Sequence, residues 1–146
     1  MSTSSNFSQD ELAPLFHGTR NACFGCGQAN PVGLRLEFSK TVDGHIVSTA
    51  VISNQYEGPP GYLHGGIIAT LLDEAMSKAN RARGVTAMTR QMQVEYLRPV
   101  PSDSAIRIIG RVTRSEGRKH WAEALIQNAG GTVLAQATGL FIAIKT

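Results

Sequence analysis

Cysteine is nearly absent from these 146 residues, with only Cys23 and Cys26, and aromatic residues are scarce at 6%, Trp121 being the single tryptophan. Two thiols three positions apart, without an export signal in the polar residues 1–9, argue against a disulfide framework. So few aromatic rings do not make a stacking platform for single-stranded nucleic acid. Charged residues are also sparse, at 17% of the chain, which excludes a polyelectrolyte-like disordered polymer. Fourteen Lys and Arg against eleven Asp and Glu leave +3, too mild and too scattered for a nucleic-acid binder. No apolar run approaches the length that crosses a bilayer. The expectation is a cytoplasmic enzyme or ligand-binding protein of one domain, with no nucleic-acid or membrane partner.

What is present is a regular alternation of short patterned segments. Residues 1–20 read as a polar leader with one candidate short helix, capped by Ser8 and running to Phe16. Next comes the turn-rich stretch Cys23-Phe-Gly-Cys26-Gly-Gln-Ala-Asn-Pro31. Leu34, Leu36 and Phe38 alternate with polar residues and predict a strand, Asp43-Gly44 a hairpin, and residues 45–52 its return. After a loop with Pro59 and Pro60, the residues Ile67, Ile68, Leu71, Leu72, Ala75, Met76 and Ala79 recur at helical spacing. They predict a helix over residues 65–83, stopped by Gly84. Strand patterns follow at 88–97, 105–112, 120–127 and 133–144. The order implies an α+β domain in which one amphipathic helix covers one face of an antiparallel sheet of about six strands, consecutive strands pairing through short turns.

The helix carries the chemistry. Gly66, Ala69, Thr70, Asp73 and Ser77 share the side opposite the apolar stripe. A solvated face is normally filled with Lys, Glu and Gln, whereas small residues around one carboxylate admit another backbone or a ligand. Mid-helix Asp is also disfavoured for helix stability, so another demand selects Asp73; the alternative is a solvated Asp with incidental small neighbours. Glu74 is read as structural, paired with Lys78 at i+4. Gly65 and Gly66 leave the N–H groups of the first turn open to a carbonyl oxygen that becomes an oxyanion.

The run His64-Gly-Gly-Ile-Ile-Ala-Thr-Leu-Leu-Asp73 resembles the hotdog-fold thioesterases of the phenylacetate-degradation (PaaI) type. The stretch from Cys23 to Leu34 and Val94-Glu-Tyr-Leu-Arg-Pro-Val-Pro101 are similar to the same superfamily. The resemblance implies a hotdog thioesterase domain over residues 21–146. It implies Asp73 as the carboxylate that activates water or attacks the thioester carbonyl, and Gly65 as the N–H that polarises that carbonyl. His64 then shapes the site, and Thr89 is the auxiliary hydroxyl that holds the water or the carboxylate. The implied substrate is an acyl-coenzyme A, with Gly66, Asn54, Arg90, Arg118 and Lys119 as substrate-binding candidates. For each of these basic residues, as for Arg111 and Arg114, solubility is the competing reading. The site is expected between two protomers of a homodimer or a dimer of dimers, with no cofactor. One departure is visible: some members carry an Asn six residues before the histidine, where this chain has Gly58, with Asn54 further away.

Cys23 and Cys26, with His17 upstream, have no second CxxC or HxxxH to complete four zinc ligands, so no metal is expected and they read as two thiols in a packed turn. A Gly-x-Ser-x-Gly elbow and a phosphate-binding loop are both missing. A non-catalytic acyl-coenzyme A or aromatic-ligand binder of the same fold, and a hotdog dehydratase, remain the rival functions.

Overall fold

The computed structural model describes residues 13–15 and 23–145. Apolar periodicity becomes architecture through one long helix and a seven-stranded antiparallel sheet. In chain order the elements are β1 (Ala13–Pro14), β2 (Ser39–Lys40), β3 (Ile46–Val51), α1 (Gly65–Arg81), β4 (Thr86–Tyr96), β5 (Ala105–Glu116), β6 (Lys119–Asn128) and β7 (Val133–Lys145). The sheet order is β1-β2-β3-β5-β6-β7-β4. Five strands are long, and the first two span two residues each.

Helix α1 packs on one sheet face, touching each strand from β3 to β7. Ile68, Leu71, Leu72, Ala75, Met76 and Ala79 are buried there with Ile106, Ile108, Ala124, Ile126 and Phe141. These are the apolar positions of the helical repeat and the inward positions of the strand repeat, so burial follows the two periodicities. The closest approach is at Gly110, where a Cβ would lie 2.6 Å from the Ala75 carbonyl oxygen. On the other sheet face Val47, Ile109 and Leu125, aligned across three strands, make a smaller cluster. No helix among the described residues is long and apolar enough to cross a membrane.

Three expectations change. Residues 34–38 alternate in burial as predicted, Leu36 and Phe38 being buried, yet they are not a strand. The Leu34 and Leu36 N–H groups donate to the carbonyls of Phe24 and Gly25 instead of a sheet neighbour, and Arg35 adopts a left-handed φ of 53° that breaks the extended run. Consecutive strands do not all pair: β4 and β5 are separated, because β4 joins β7 at the sheet edge while β5 lies beside β3. Ala13 and Pro14 form β1 rather than helix, the Leu15 N–H donates to the Phe38 carbonyl at 3.0 Å, and residues 8–12 and 16 of the candidate Ser8–Phe16 helix, with His17, lie outside the described residues.

Candidate active site

The start of α1 is built by His64. Its extended backbone makes it the helix N-cap, and its Nδ1 accepts from the Gly66 N–H at 2.9 Å. Thus Gly66 is committed to the cap, while the Gly65 N–H has no acceptor among the described residues. The Tyr96 hydroxyl donates to the Gly65 carbonyl oxygen at 2.9 Å and fixes this peptide from the β4 side. Tyr96 lies inside the Val94–Pro101 segment, but nothing in its spacing from His64 announces the contact. Beside Gly65 opens a cleft of about 380 Å³ lined by Tyr62, Ile68, Tyr96, Leu97 and Pro99. It offers an apolar surface next to an unsatisfied donor at the positive end of a helix dipole.

Two turns further along, Asp73 stands half-buried on the small-residue side of α1. The Thr89 hydroxyl on β4 donates to Asp73 Oδ1 at 2.6 Å, across sixteen residues of sequence. This bond holds the carboxylate in one orientation and leaves Oδ2 open to another donor. Gly65 and Asp73 are eight residues apart on α1, which at the helical rise is about 12 Å along the axis. One thioester carbonyl cannot touch both within a single chain.

The remaining candidates scatter. Asn54 opens a 3-10 turn, its N–H donating to Asp103 Oδ1 at 3.2 Å, and that turn is tied to the site through His64 N–H to the Tyr56 carbonyl at 2.9 Å. Gly58 is placed so that a Cβ would lie 3.3 Å from His64 Cα, so a larger residue there would press on the cap. Arg90 is the extra residue of a β-bulge, where the β4–β7 register shifts between Thr89 and Gln91. Arg118 Nε donates to the Ala143 carbonyl at 2.9 Å. Arg118 and Lys119 occupy the β5–β6 hairpin, at the end of α1 where Arg83 meets Ser115. The 17-residue helix separates them from Gly65, a distance of about 25 Å. Arg111 is paired with Glu123 at 2.6 Å, and Arg114 lies over the Trp121 ring at 3.8 Å.

Glu74 contradicts its sequence reading. It forms no ion pair with Lys78 and is buried, 9% exposed, against the Cys23–Cys26 turn. The helix turns it inward one position past Asp73, so the two neighbouring carboxylates face different environments.

Residues 60–135 match the model of the thioesterase superfamily. Acyl-coenzyme A thioesterase THEM4 of Mus musculus is 33% identical over 106 residues, covering 72% of this chain and 46% of that protein. The chain thus spans under half the length of this curated relative. A solved thioesterase superfamily protein superposes with a TM-score of 0.79 at 31% identity, over 84% of this chain and 60% of that one. A hypothetical thioesterase from Streptococcus pneumoniae TIGR4, solved with coenzyme A, superposes with a TM-score of 0.71 at 25% identity, over 76% and 90% of the two chains. The one-helix antiparallel sheet and these matches together make the chain a member of the thioesterase superfamily with the hotdog fold.

Proposed function

We propose that this protein hydrolyses the thioester of an acyl-coenzyme A. The carrying observation is the Asp73 carboxylate held by the Thr89 hydroxyl at 2.6 Å on a helix whose first N–H, at Gly65, has no acceptor among the described residues. Asp73 Oδ2 takes a proton from water as that water attacks the carbonyl carbon, or Asp73 itself attacks. The Gly65 N–H donates to the carbonyl oxygen as charge builds there. In the first route the C–S bond then breaks to release the carboxylic acid, and the proton held by Asp73 passes to the coenzyme A thiolate. In the second the C–S bond breaks to leave a mixed anhydride on Asp73, which water hydrolyses to the carboxylic acid. Gly58 offers no amide side chain at its own position, and in this reading the water is held by Asp73 and Thr89. The names of the curated relatives and the coenzyme A in the streptococcal structure support this substrate class.

The 12 Å gap supports a site completed by a second copy, Asp73 from one protomer and Gly65 from the other. Strand β4 supports it as well, since it ends the sheet with an open edge, exposes Met88 and Tyr96, and carries Thr89 and Tyr96 to Asp73 and Gly65. In such an assembly the exposed Arg90 and Lys119, with the terminal guanidinium nitrogens of Arg118, are the cations proposed to meet the coenzyme A phosphates. A cytoplasmic location is part of the proposal and agrees with cysteines held as thiols.

A thiol-release assay over short, long and aromatic acyl-coenzyme A tests the reaction. Enzyme-dependent thiol release is expected for at least one class. Acyl-coenzyme A binding without release would instead establish the non-catalytic binder, and double-bond formation without release the dehydratase. Sedimentation at micromolar concentration is expected to give a dimer or a dimer of dimers; a monomer that still turns over would end the shared-site reading. Thr89→Val keeps shape and removes the donor. Because a hydrogen bond to the carboxylate contributes about 1 to 2 kcal/mol, kcat should fall by about fivefold to thirtyfold. A folded but wholly inactive Thr89→Val would give Thr89 a larger role.

A further inference from the structure

Buried carboxylates in proteins are paired with cations, richly hydrogen-bonded, or bound to metal. Among the described residues Glu74 has neither of the first two. Its only hydrogen-bond partner among the described residues is the Cys23 thiol, a weak donor, at 3.5 Å from Oε1. The Cys23 and Cys26 sulfurs and a Glu74 oxygen all lie within 4.8 Å of one another. Cys26 is 2% exposed, while Cys23 is half-buried and keeps a path to solvent.

The surroundings are shaped around this cluster. Gly25, between the two cysteines, would carry a Cβ only 2.4 Å from Glu74 Cγ and 2.5 Å from Cδ, so only glycine lets the glutamate lie against the turn. The turn is closed by Gly27 N–H to the Cys23 carbonyl at 2.8 Å and docked by Leu36 N–H to the Gly25 carbonyl at 2.9 Å. The spacing also fits one ion. In a tetrahedral zinc site, Zn–S of about 2.3 Å and Zn–O of about 2.0 Å set the sulfur-to-oxygen edge at about 3.5 Å, equal to the Cys23–Glu74 separation.

We infer that Cys23, Cys26 and Glu74 form a binding site for a thiophilic divalent cation, zinc by ligand type, with water in the fourth position. Both thiols ionise on binding and release their protons to solvent, while the carboxylate binds as it stands. The cation would fasten the N-terminal turn to the middle of α1, one residue from Asp73. This site is separate from the proposed hydrolysis and has its own readouts.

The test uses the full chain, reduced and stripped with a chelator, then titrated with Zn²⁺ against a chromogenic competitor and separately with Co²⁺. One zinc per chain is expected, with a thiolate-to-cobalt charge-transfer band. Glu74→Gln should keep the band and weaken zinc binding by at least about tenfold, since even groups outside the ligand set change affinity by that much. The half-buried Cys23→Ser tolerates the change more readily than the buried Cys26, and with its fold checked by circular dichroism it should lose most of the band. Reduced protein that shows no charge-transfer band in excess Co²⁺, or Cys23→Ser that binds zinc as tightly as the parent, would overturn the assignment. So would a Cys23–Cys26 disulfide whose reduction restores no metal uptake.

Discussion

Asp73→Asn is expected to lower kcat for thioester hydrolysis by about 10² to 10⁴, the range lost with a general base, while KM changes little. The substitution keeps size and can still accept from the Thr89 hydroxyl that now meets Oδ1 at 2.6 Å. What it removes is the charge that takes a proton or attacks carbon. Ground-state contacts of the acyl-coenzyme A with the cleft beside Gly65 do not involve that charge, so binding should persist. Steady-state kinetics with the best substrate of the thiol-release panel makes the comparison. Near-normal hydrolysis by folded Asp73→Asn would mean that the wrong carboxylate has been assigned.

Gly110→Val should destabilise the fold by about 3 kcal/mol or more, and Gly110→Ala by about 1 to 3 kcal/mol. The added Cβ would sit 2.6 Å from the Ala75 carbonyl oxygen and 2.8 Å from its carbon. These are backbone atoms in the middle of α1, and they cannot swing aside like a flexible side chain. Relief requires the helix to lift from β5, which would open the packing of Leu71, Leu72 and Met76 and shift Asp73 with them. Against a typical total stability of about 5–15 kcal/mol, such losses are large. Gly130→Ala is the control, since its Cβ meets only the Asn128 side-chain oxygen at 3.4 Å; it should stay within about 0.5 kcal/mol. Urea denaturation midpoints decide the matter, and a Gly110→Ala protein as stable as the control would refute the close-contact argument.

The contrast between Asp73 and Glu74 shows what spacing can and cannot say. Their place on the helix separates them by about 100° of rotation, and the small neighbours of Asp73 already marked its side as unusual. For Glu74 the i+4 lysine offered a sufficient local partner. The true neighbours, Cys23 and Gly25, stand about fifty residues upstream, and Cys23 lies 51 positions away. No local pattern encodes a contact of that range.

The sequence alone determined the helix, the long strands and which side of each is buried, because 3.6- and 2-residue periodicities are local properties of the chain. His64 at the helix start and Asp73 on its small-residue side were legible for the same reason. Tertiary structure alone decided the partners. It set β5 beside β3 and β4 at the edge beside β7, and turned residues 34–38 out of the sheet by docking them on the cysteine turn. It also brought Tyr96 to Gly65 and Glu74 to the cysteines, and it made the contact of Thr89 with Asp73 that the family resemblance, though no local pattern, implied. Each of these joins segments distant in sequence, and it is the packing of α1 across the sheet, with Gly110 against Ala75, that brings them together.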